Sequence, residues 1–497
     1  MISSFSRANR FVIICSLLFV SSVFLAGCTN NFVPGNPTNN TFACTTLADC
    51  PPGSTRCVNG VCTSEDEHGC VPDGGFEWCA ALQKYVQPWV TPCTSQNQNG
   101  SGPINQQPQY GSLSAADNAF GFNLFSKVLA DEPDKNANMM ISPASISLAL
   151  SMVYEGAAGT TQQEMGEVLQ IGNISPDSLN QESQSLIQSL SNRNDVNLSI
   201  ADSLWLNSAQ GFQFEPDYQN DMATYYNASA QTLDFSEEPA SANAINGWVS
   251  DNTNGKISDI VSPSELPNYQ AALVDAVYFK GKWAQPFDVN LTQDQAFTTS
   301  DGSSQQVPTM SQDGQYWYFE EDDIIGTPTL QAIKLPYGNA SDPSQSMDMY
   351  VFLPSDMSGF TKNLDENTWN TMEAKFSYQQ GTILLPKFEY GYETELIPQL
   401  KELGMNAAFS SSANFSRMSS TPLEIGTVKH EAYIETDEEG SEAAAATFVG
   451  MMTGASLDSN EPKPFYMDVD KPFFYAIVDD NTGEILFMGV VNDPSAQ

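Results

Sequence analysis

Cations are scarce in this chain. Only 19 of its 497 residues are lysine or arginine, against 60 aspartates and glutamates, for a formal net charge of −41. A polyanion has little to grip on such a surface, so nucleic acid and anionic membrane are excluded as electrostatic partners. Histidine is scarcer still, with His68 and His430 the only two. Histidine-rich metal sites, and most machinery that pairs a nucleophile with an imidazole, have few places to be. No GxSxG, HExxH, P-loop or cofactor glycine signature occurs, which removes the usual signposts of hydrolase, metalloprotease, nucleotide and cofactor chemistry. Carboxylates are so numerous that no acid pair stands out. Neither a metal nor a cofactor is expected, and the chain does not read as an enzyme.

What is present is enough for a large core. Hydrophobic residues make up 41% and aromatics 11%, and the length suits more than one domain. Arg7 and Arg10 precede the apolar run "FVIICSLLFVSSVF", which ends at "LAGC", Leu25 to Cys28. A basic start, a short apolar stretch and small residues before a cysteine describe a secretory signal. "LAGC" resembles a bacterial lipobox, which implies cleavage before Cys28 and a lipid on that residue. The alternatives are an ordinary signal peptide or an uncleaved anchor. Each puts the mature protein outside the cytoplasm.

Beyond Cys15 and Cys28, all the cysteines fall in one block: Cys44, Cys50, Cys57, Cys62, Cys70, Cys79 and Cys93. Dense cysteines among Pro-Gly, Asn-Gly and Gly-Gly turns in an exported chain mark a small disulfide module. Metal binding is the rival, but paired CxxC units are missing and His68 is the only imidazole near. Seven is odd, so one thiol stays free or pairs between chains. A Gln-, Asn-, Ser-, Gly- and Pro-rich stretch follows and reads as a flexible linker. The expected organisation is a signal at 1–27, a tether at 28–43, the cysteine module at 44–93, a linker at 94–112 and a large domain at 113–497.

In the large domain helical patterns come early and strands late. Leu124, Phe125, Val128 and Leu129 form a helical stripe. Ser142 and Pro143 open a helix that places Ile146, Ala149, Leu150 and Val153 on one face. Thr161 and Glu164 offer a capping box. Strands are expected at "LSIADSLWLN", "ALVDAVYFKG", "MYVFLP", "TILLPKFEY" and "FFYAIVDDNTGEILFMGVV", the last a hairpin turning at Asp480 to Gly483. The class is α+β. Late in the chain stands "TDEEGSEAAAATFVG", a capped alanine run too short for a stable lone helix and too uniformly small for a packed core position.

These segments in this order resemble the serpin family, over nearly all of residues 113–494. The pieces are "MISPASIS", "INGWVSDNTNGKISDIV", "ALVDAVYFKGKWAQPF", "QVPTM", "LLPKFEYGYETEL", "LKELGMNAAF", "VKHEAYIETDEEGSEAAAATF" and "DKPFFYAIVDDNTGEILFMGVVNDP". The resemblance implies three β-sheets among helices, with an exposed reactive-centre loop. It also implies suicide inhibition: a protease cuts the loop, is held as an acyl-enzyme, and is carried away as the loop inserts into the central sheet. Glu438, Glu439, Gly440, Ser441, Glu442, Ala443, Ala444, Ala445, Ala446 and Thr447 match the hinge of that loop. As a strand they would send Ser441, Ala443, Ala445 and Thr447 inward and Glu442, Ala444, Ala446 and Phe448 outward. A bulky or charged inward residue would add overpacking or desolvation, and none is there. Gly440 supplies the pivot.

Counting along the loop puts the scissile bond at Gly454-Ala455, with Met451, Met452 or Thr453 preceding it if the register slips. No lysine or arginine lies between Ser441 and Pro462, which disfavours trypsin-like targets and points to elastase-like, subtilisin-like or chymotrypsin-like serine proteases, with cysteine proteases in range. Ser142, Ser145 and His430 match the polar shutter beneath the sheet. Asp275 stands where the family usually has asparagine, either bonding His430 with charge assistance or remaining a carboxylate costly to bury. Trp283, Pro286 and Phe287 match core positions near the sheet's top. The expected product is a monomeric inhibitor of exogenous proteases, lipid-anchored at Cys28. The rivals are a catalytic enzyme and a non-inhibitory serpin that serves as a binding or structural surface protein.

Overall fold

The computed structural model describes residues 56–58, 61–63, 77–79, 84–86, 113–191, 193, 196–338, 347–440 and 463–496. The chain falls into two compact units, Met1–Asn105 and Gln106–Gln497. In the first, β1 (Arg56–Val58) pairs antiparallel with β2 (Val61–Thr63), and β3 (Glu77–Cys79) with β4 (Lys84–Val86). Asn59-Gly60 separates the first pair, the dipeptide that two-residue hairpins favour. The expected signal, tether and linker, and most of the cysteine block, lie outside the described residues.

The second unit opens with α1 (Leu113–Asp131), β5 (Met139–Ile141), α2 (Pro143–Gly156), α3 (Gly159–Val168) and α4 (Pro176–Ser191). Then come β6 (Val196–Asn207), α5 (Pro216–Tyr225), β7 (Ser229–Leu233), α6 (Glu238–Asn252), β8 (Ala271–Gly281), β9 (Gln293–Thr298) and β10 (Ser304–Asp322). β11 (Pro328–Tyr337), β12 (Met347–Pro354), α7 (Met357–Lys362), α8 (Glu366–Glu373), β13 (Ser377–Pro386), β14 (Phe388–Glu395), α9 (Ile397–Leu403), β15 (Ile425–Thr436), β16 (Phe465–Asp468), β17 (Phe473–Asp479) and β18 (Glu484–Val491) complete it. Early helices and late strands make the expected α+β class.

Ser142 caps α2 as expected: it is extended, its side chain accepts from the Ser145 N–H, and Pro143 fills the first turn. The helix is apolar beyond one face, because it lies beneath the sheet against α1, β6, β8 and β18 and is buried almost throughout. The capping box at Thr161 and Glu164 does not form. α3 begins earlier, at Gly159, and both side chains serve other backbone: Thr161 accepts from Asn414 N, and Glu164 from the N–H groups of Asn406 and Ala407. "TILLPKFEY" is two strands instead of one. Pro386 ends β13, Lys387 N turns to the Pro308 carbonyl, and Phe388 starts β14 in a different sheet.

Among the described residues the strands of this unit make two hydrogen-bonded sheets where three were expected. One runs β16-β13-β10-β11-β12-β17-β18-β5 with β9 beside β10; the other runs β14-β15-β8-β6-β7. The merger comes from β10, a 19-residue strand. Its first part pairs with β9 and β13 and its last part with β11, and Tyr318 pairs on both sides, so the ladder never breaks.

The main core fills the space between the sheets and under α1 and α2. A smaller cluster, with Trp205, Ile245, Val249, Ala272 and Val274, lies between the five-stranded sheet and α6. β8 is therefore covered on both faces, which explains its nearly unbroken apolar run. Leu273, Val277 and Phe279 face the main core; Asp275 shares their parity and sits on that same side.

Candidate functional site

The five-stranded sheet has an uncommon centre. β15 and β8 run parallel, paired from Ile425↔Ala271 to Tyr433↔Tyr278, while β14 flanks β15 and β6 flanks β8 in antiparallel ladders. Parallel pairing is slightly the weaker per residue, and this ladder also shifts register between Ile425 and Thr427. The seam between β8 and β15 is thus the softer line in the middle of the sheet.

At the seam's upper end the chain leaves β15 through a tight turn. Asp437 and Gly440 bond each other through both backbone pairs, at 3.1 and 3.2 Å. Gly440 has φ +107°, and a Cβ there would stand 2.1 Å from the Gly281 carbonyl oxygen and 2.6 Å from Trp283 N. Only glycine fits. The turn is pinned on several sides. Trp283 N donates to the Glu439 carbonyl (3.0 Å), Phe287 N to the Glu438 carbonyl (2.7 Å), and Trp283 Nε1 to the Asp437 carbonyl (2.8 Å). Trp283 itself is held flat on Tyr337, with ring centroids 4.4 Å apart.

Glu438 is the side-chain anchor. Its carboxylate, buried in the turn, accepts from Lys387 Nζ at 2.6 Å and from Thr292 Oγ1 at 2.7 Å. Burial pushes its pKa up, but the bonds from Lys387 and Thr292 outweigh that and hold it below the usual carboxylate range. Asp437 beside it is pushed up by burial. Lys387 and Thr292 were not singled out in the sequence; the Pro-Lys step inside the otherwise strand-like "TILLPKFEY" was the available signal.

Midway along the seam lies a buried polar row. Asp275 on β8 is opposite His430 on β15 and opposite Asp202 on β6. His430 Nδ1 is 2.8 Å from Asp275 Oδ2, and Ser145 Oγ donates to Asp275 Oδ1 at 2.5 Å. Ser142 N donates to His430 Nε2 at 3.3 Å, while Ser142 Oγ donates to the Leu486 carbonyl at 2.6 Å. The backbone donor leaves Nε2 as acceptor, so the imidazole proton sits on Nδ1 and points at Asp275. Of the two alternatives for Asp275, the geometry selects the bond to His430. Asp202, also buried, was missed; burial and the neighbouring Asp275 carboxylate push its pKa well up.

The structure brings together the four expected shutter residues, and it places Glu438, Glu439 and Gly440 at the top of the same seam. Ser441–Thr447, the scissile candidates Met451–Ala455 and Cys28 lie outside the described residues. Trp283 and Phe287 are buried as expected, whereas Pro286 is exposed, contributing only its carbonyl to Gln312 Nε2. Among the described residues no cluster of three His, Cys, Asp or Glu side chains is placed to hold a metal ion. Serine, histidine and aspartate do meet here, but in the wrong order for acyl transfer: Ser145 Oγ bonds Asp275 and not the imidazole. His430 is also fully buried, out of reach of any substrate.

Comparison with known proteins follows the same geometry. The family profile described as "Serpin (serine protease inhibitor)" matches residues 115–494. An uncharacterized serpin-like protein of Methanosarcina mazei is 34% identical over 397 residues, covering 77% of this chain and 87% of that one. The crystal structure of tengpin, a thermophilic serpin in its native state, matches with a TM-score of 0.67 at 26% identity, over 79% of this chain and 97% of the other. Human thyroxine-binding globulin matches with a TM-score of 0.68 at 26% identity, over 77% and 99%.

Proposed function

The chain belongs to the serpin family, and from that premise we propose that it is a suicide-substrate inhibitor of serine proteases. The observation that carries the reading is the parallel seam with its pinned turn. A chain that leaves β15 at Thr436, reverses at Gly440 and runs back down between β8 and β15 is antiparallel to both. Insertion therefore replaces one parallel ladder by two antiparallel ones. At about 1 kcal/mol net per hydrogen bond, the extra ladder along Ile425–Tyr433 is worth roughly 5–10 kcal/mol. That is ample to drag an attached protease.

The register of the turn supports the hinge assignment independently. Continuing Asp437↔Gly440 downward pairs Thr436 with Ser441, Ile434 with Ala443, Ala432 with Ala445 and His430 with Thr447. Those four are the buried residues of β15 between His430 and Thr436, so the small set Ser441, Ala443, Ala445 and Thr447 is the set that would turn inward. Cleavage is proposed at Gly454-Ala455, within the span Met451 to Ala455. The targets are elastase-like, subtilisin-like or chymotrypsin-like enzymes, with cysteine proteases a further class.

One matched structure is a thyroxine-binding globulin, named for a small ligand and not for a protease, so the family alone leaves a non-inhibitory role as the second reading. Denaturing gel electrophoresis after incubation with elastase, subtilisin, chymotrypsin and trypsin separates the two. A stable protease-sized upward shift, with sequencing of the released C-terminal fragment, supports trapping and locates the cut; cleavage without any shift by every protease moves the function to the second reading.

The proposed setting is a monomer exported and tethered through lipid on Cys28, with residues 44–93 as a disulfide module and 94–112 as a flexible spacer. Cys28→Ser should move the protein from the membrane fraction to the medium. A wild-type chain already soluble in the cytoplasm would sink the tether.

A further inference from the structure

The buried row Asp202–Asp275–His430 holds one more acid than its donors account for. Asp275 accepts from Ser145 Oγ and from His430 Nδ1. Among the described residues neither oxygen of Asp202 has a hydrogen-bond donor, and Asp202 is 3% exposed. Its cross-strand neighbour is Asp275, another carboxylate. Two ionised carboxylates side by side in a dry interior repel strongly, and a proton shared between them turns the clash into a hydrogen bond. The other groups facing the row leave no second solution. Ser142 at the α2 cap and Ser145 on α2 are hydroxyls, β18 offers the Leu486 carbonyl, β14 places Thr394 opposite His430, and β5 is Met139, Met140 and Ile141. Among the described residues the one charged group acting on Asp202 is the Asp275 carboxylate. His430 Nε2 is occupied as an acceptor by Ser142 N, so it offers the row no further donor.

We propose that Asp202 is a positioning residue for the opening of the β8–β15 seam: it carries a proton that it donates to Asp275, and that proton keeps Asp275 bound to His430 across the seam. A hydroxyl on Asp202 donates to Asp275, which also accepts from Ser145 and His430, and leaves only the second oxygen of Asp202 without a donor among the described residues. When the proton leaves, the row carries two charges and needs water. β6 and β8 are tied by the long unshifted antiparallel ladder from Val196↔Gly281 to Leu206↔Ala271, so the side that yields is the parallel one, β15. The seam opens more readily as pH rises. The sign follows from linkage: a group held protonated in the closed sheet, and released to an ordinary carboxylate range in the open one, favours closure at low pH and loses that contribution as pH rises.

The proposal rests on the reading that this seam opens, and not on which protease triggers the opening. The test is uptake of a synthetic peptide with the sequence of Ser441–Met452 by the full chain, from about pH 6 to about pH 9, followed by native gel shift of labelled peptide. Wild-type uptake should accelerate on the order of tenfold across that range. Asp202→Asn, whose amide donates to Asp275 at every pH, should take up peptide slowly with a flat profile. Asp275→Asn removes the facing carboxylate and should be flat as well, which keeps the test open if either variant folds poorly. Parallel pH profiles in wild type and either folded variant overturn the proposal while leaving the seam intact. A wild type that takes up no peptide at any pH overturns the seam reading together with it. pH-dependent uptake without any covalent protease adduct would support the row and sink only inhibition.

Discussion

Replacing Lys387 with methionine keeps most of the side chain's bulk and removes the ammonium that grips Glu438. The contact is short, 2.6 Å, and lopsided in exposure: the Glu438 side chain is 8% exposed and that of Lys387 36%. A charge-assisted bond to a buried carboxylate is worth about 1.5–3 kcal/mol. The partly exposed ammonium is screened by water, and Thr292 still donates to the other oxygen, which together bring the expected loss to about 2 kcal/mol. On the closing of the turn that is a factor of about 30, and for a domain of this size a melting shift of about 3 °C. The sign with pH is fixed by Glu438. Its pKa is lowered in the folded chain, so the ion pair contributes above the ordinary carboxylate range and is lost as pH falls through the lowered value. The assay is thermal melting of wild type and Lys387→Met near pH 7 and again near pH 3, with peptide uptake at pH 7 as the functional readout. Wild type should melt higher at neutral pH, the gap should close in acid, and the variant should take up peptide faster. A variant that melts with wild type, or a gap that persists unchanged in acid, refutes the tether and assigns Lys387 to stem packing.

Gly440→Ala puts a methyl against the Gly281 carbonyl at a φ that disfavours it, and should cost roughly 2–4 kcal/mol, read as a lower melting temperature and easier proteolysis after Thr436. Asp117 lies buried with Ser147 Oγ on one oxygen and Glu484 beside it, and burial pushes its pKa up to about 8. Because the folded value is raised, its contribution is present at low pH and lost as pH rises toward about 8; denaturation midpoints should therefore fall with pH in wild type, by up to about 1.4 kcal/mol per unit, and less steeply in Asp117→Asn. Gly454→Arg should confer a covalent adduct with trypsin if the cut follows residue 454; trypsin cleavage there without an adduct would place the natural cut elsewhere in the loop.

How much of this was legible in the sequence depended on how local the cause was. The Ser142-Pro143 start of α2 is a cap that two adjacent residues define, and the β17–β18 hairpin needs only two apolar runs and the turn between them. Thr161 and Glu164 have the spacing of a capping box, yet Asn414, Asn406 and Ala407 compete for the same oxygens from about 240–250 residues away, and no local pattern reveals that. The site behaves the same way. Gly440 and the small residues after it can be read as a pivot because strand alternation is local. Asp275 and His430 are 155 residues apart and are joined only once the parallel register of β8 and β15 exists; Lys387 and Glu438 are 51 apart and are joined by the antiparallel pairing of β14 with β15. The family resemblance supplied the first pair. Asp202 needed the register of β6 as well, and nothing in "LSIADSLWLN" separates a buried acid from an exposed one.

The same register makes a last prediction about what replaces the His430–Asp275 bond when the seam opens. A strand entering between β8 and β15 must separate those two side chains and strand an imidazole in the core. Carried down from Asp437↔Gly440, the pairing brings Thr447 opposite His430, the one hydroxyl after Ser441 among the inward residues. A threonine there can bond the freed ring nitrogen; a valine of the same shape cannot, and leaves a buried polar group without a partner at a cost of about 1–3 kcal/mol. Thr447→Val should leave cleavage of the loop unchanged, since it lies several residues before the scissile span, and should slow insertion. The competition between trapping and hydrolysis of the acyl-enzyme then shifts toward hydrolysis. In a titration of elastase or subtilisin the variant should need several times more inhibitor per enzyme trapped, with a larger share recovered as cleaved, unbound chain. Equal titration end points for Thr447→Val and wild type would mean that the loop enters in another register, and with it the inward assignment of Ser441, Ala443 and Ala445 would fall.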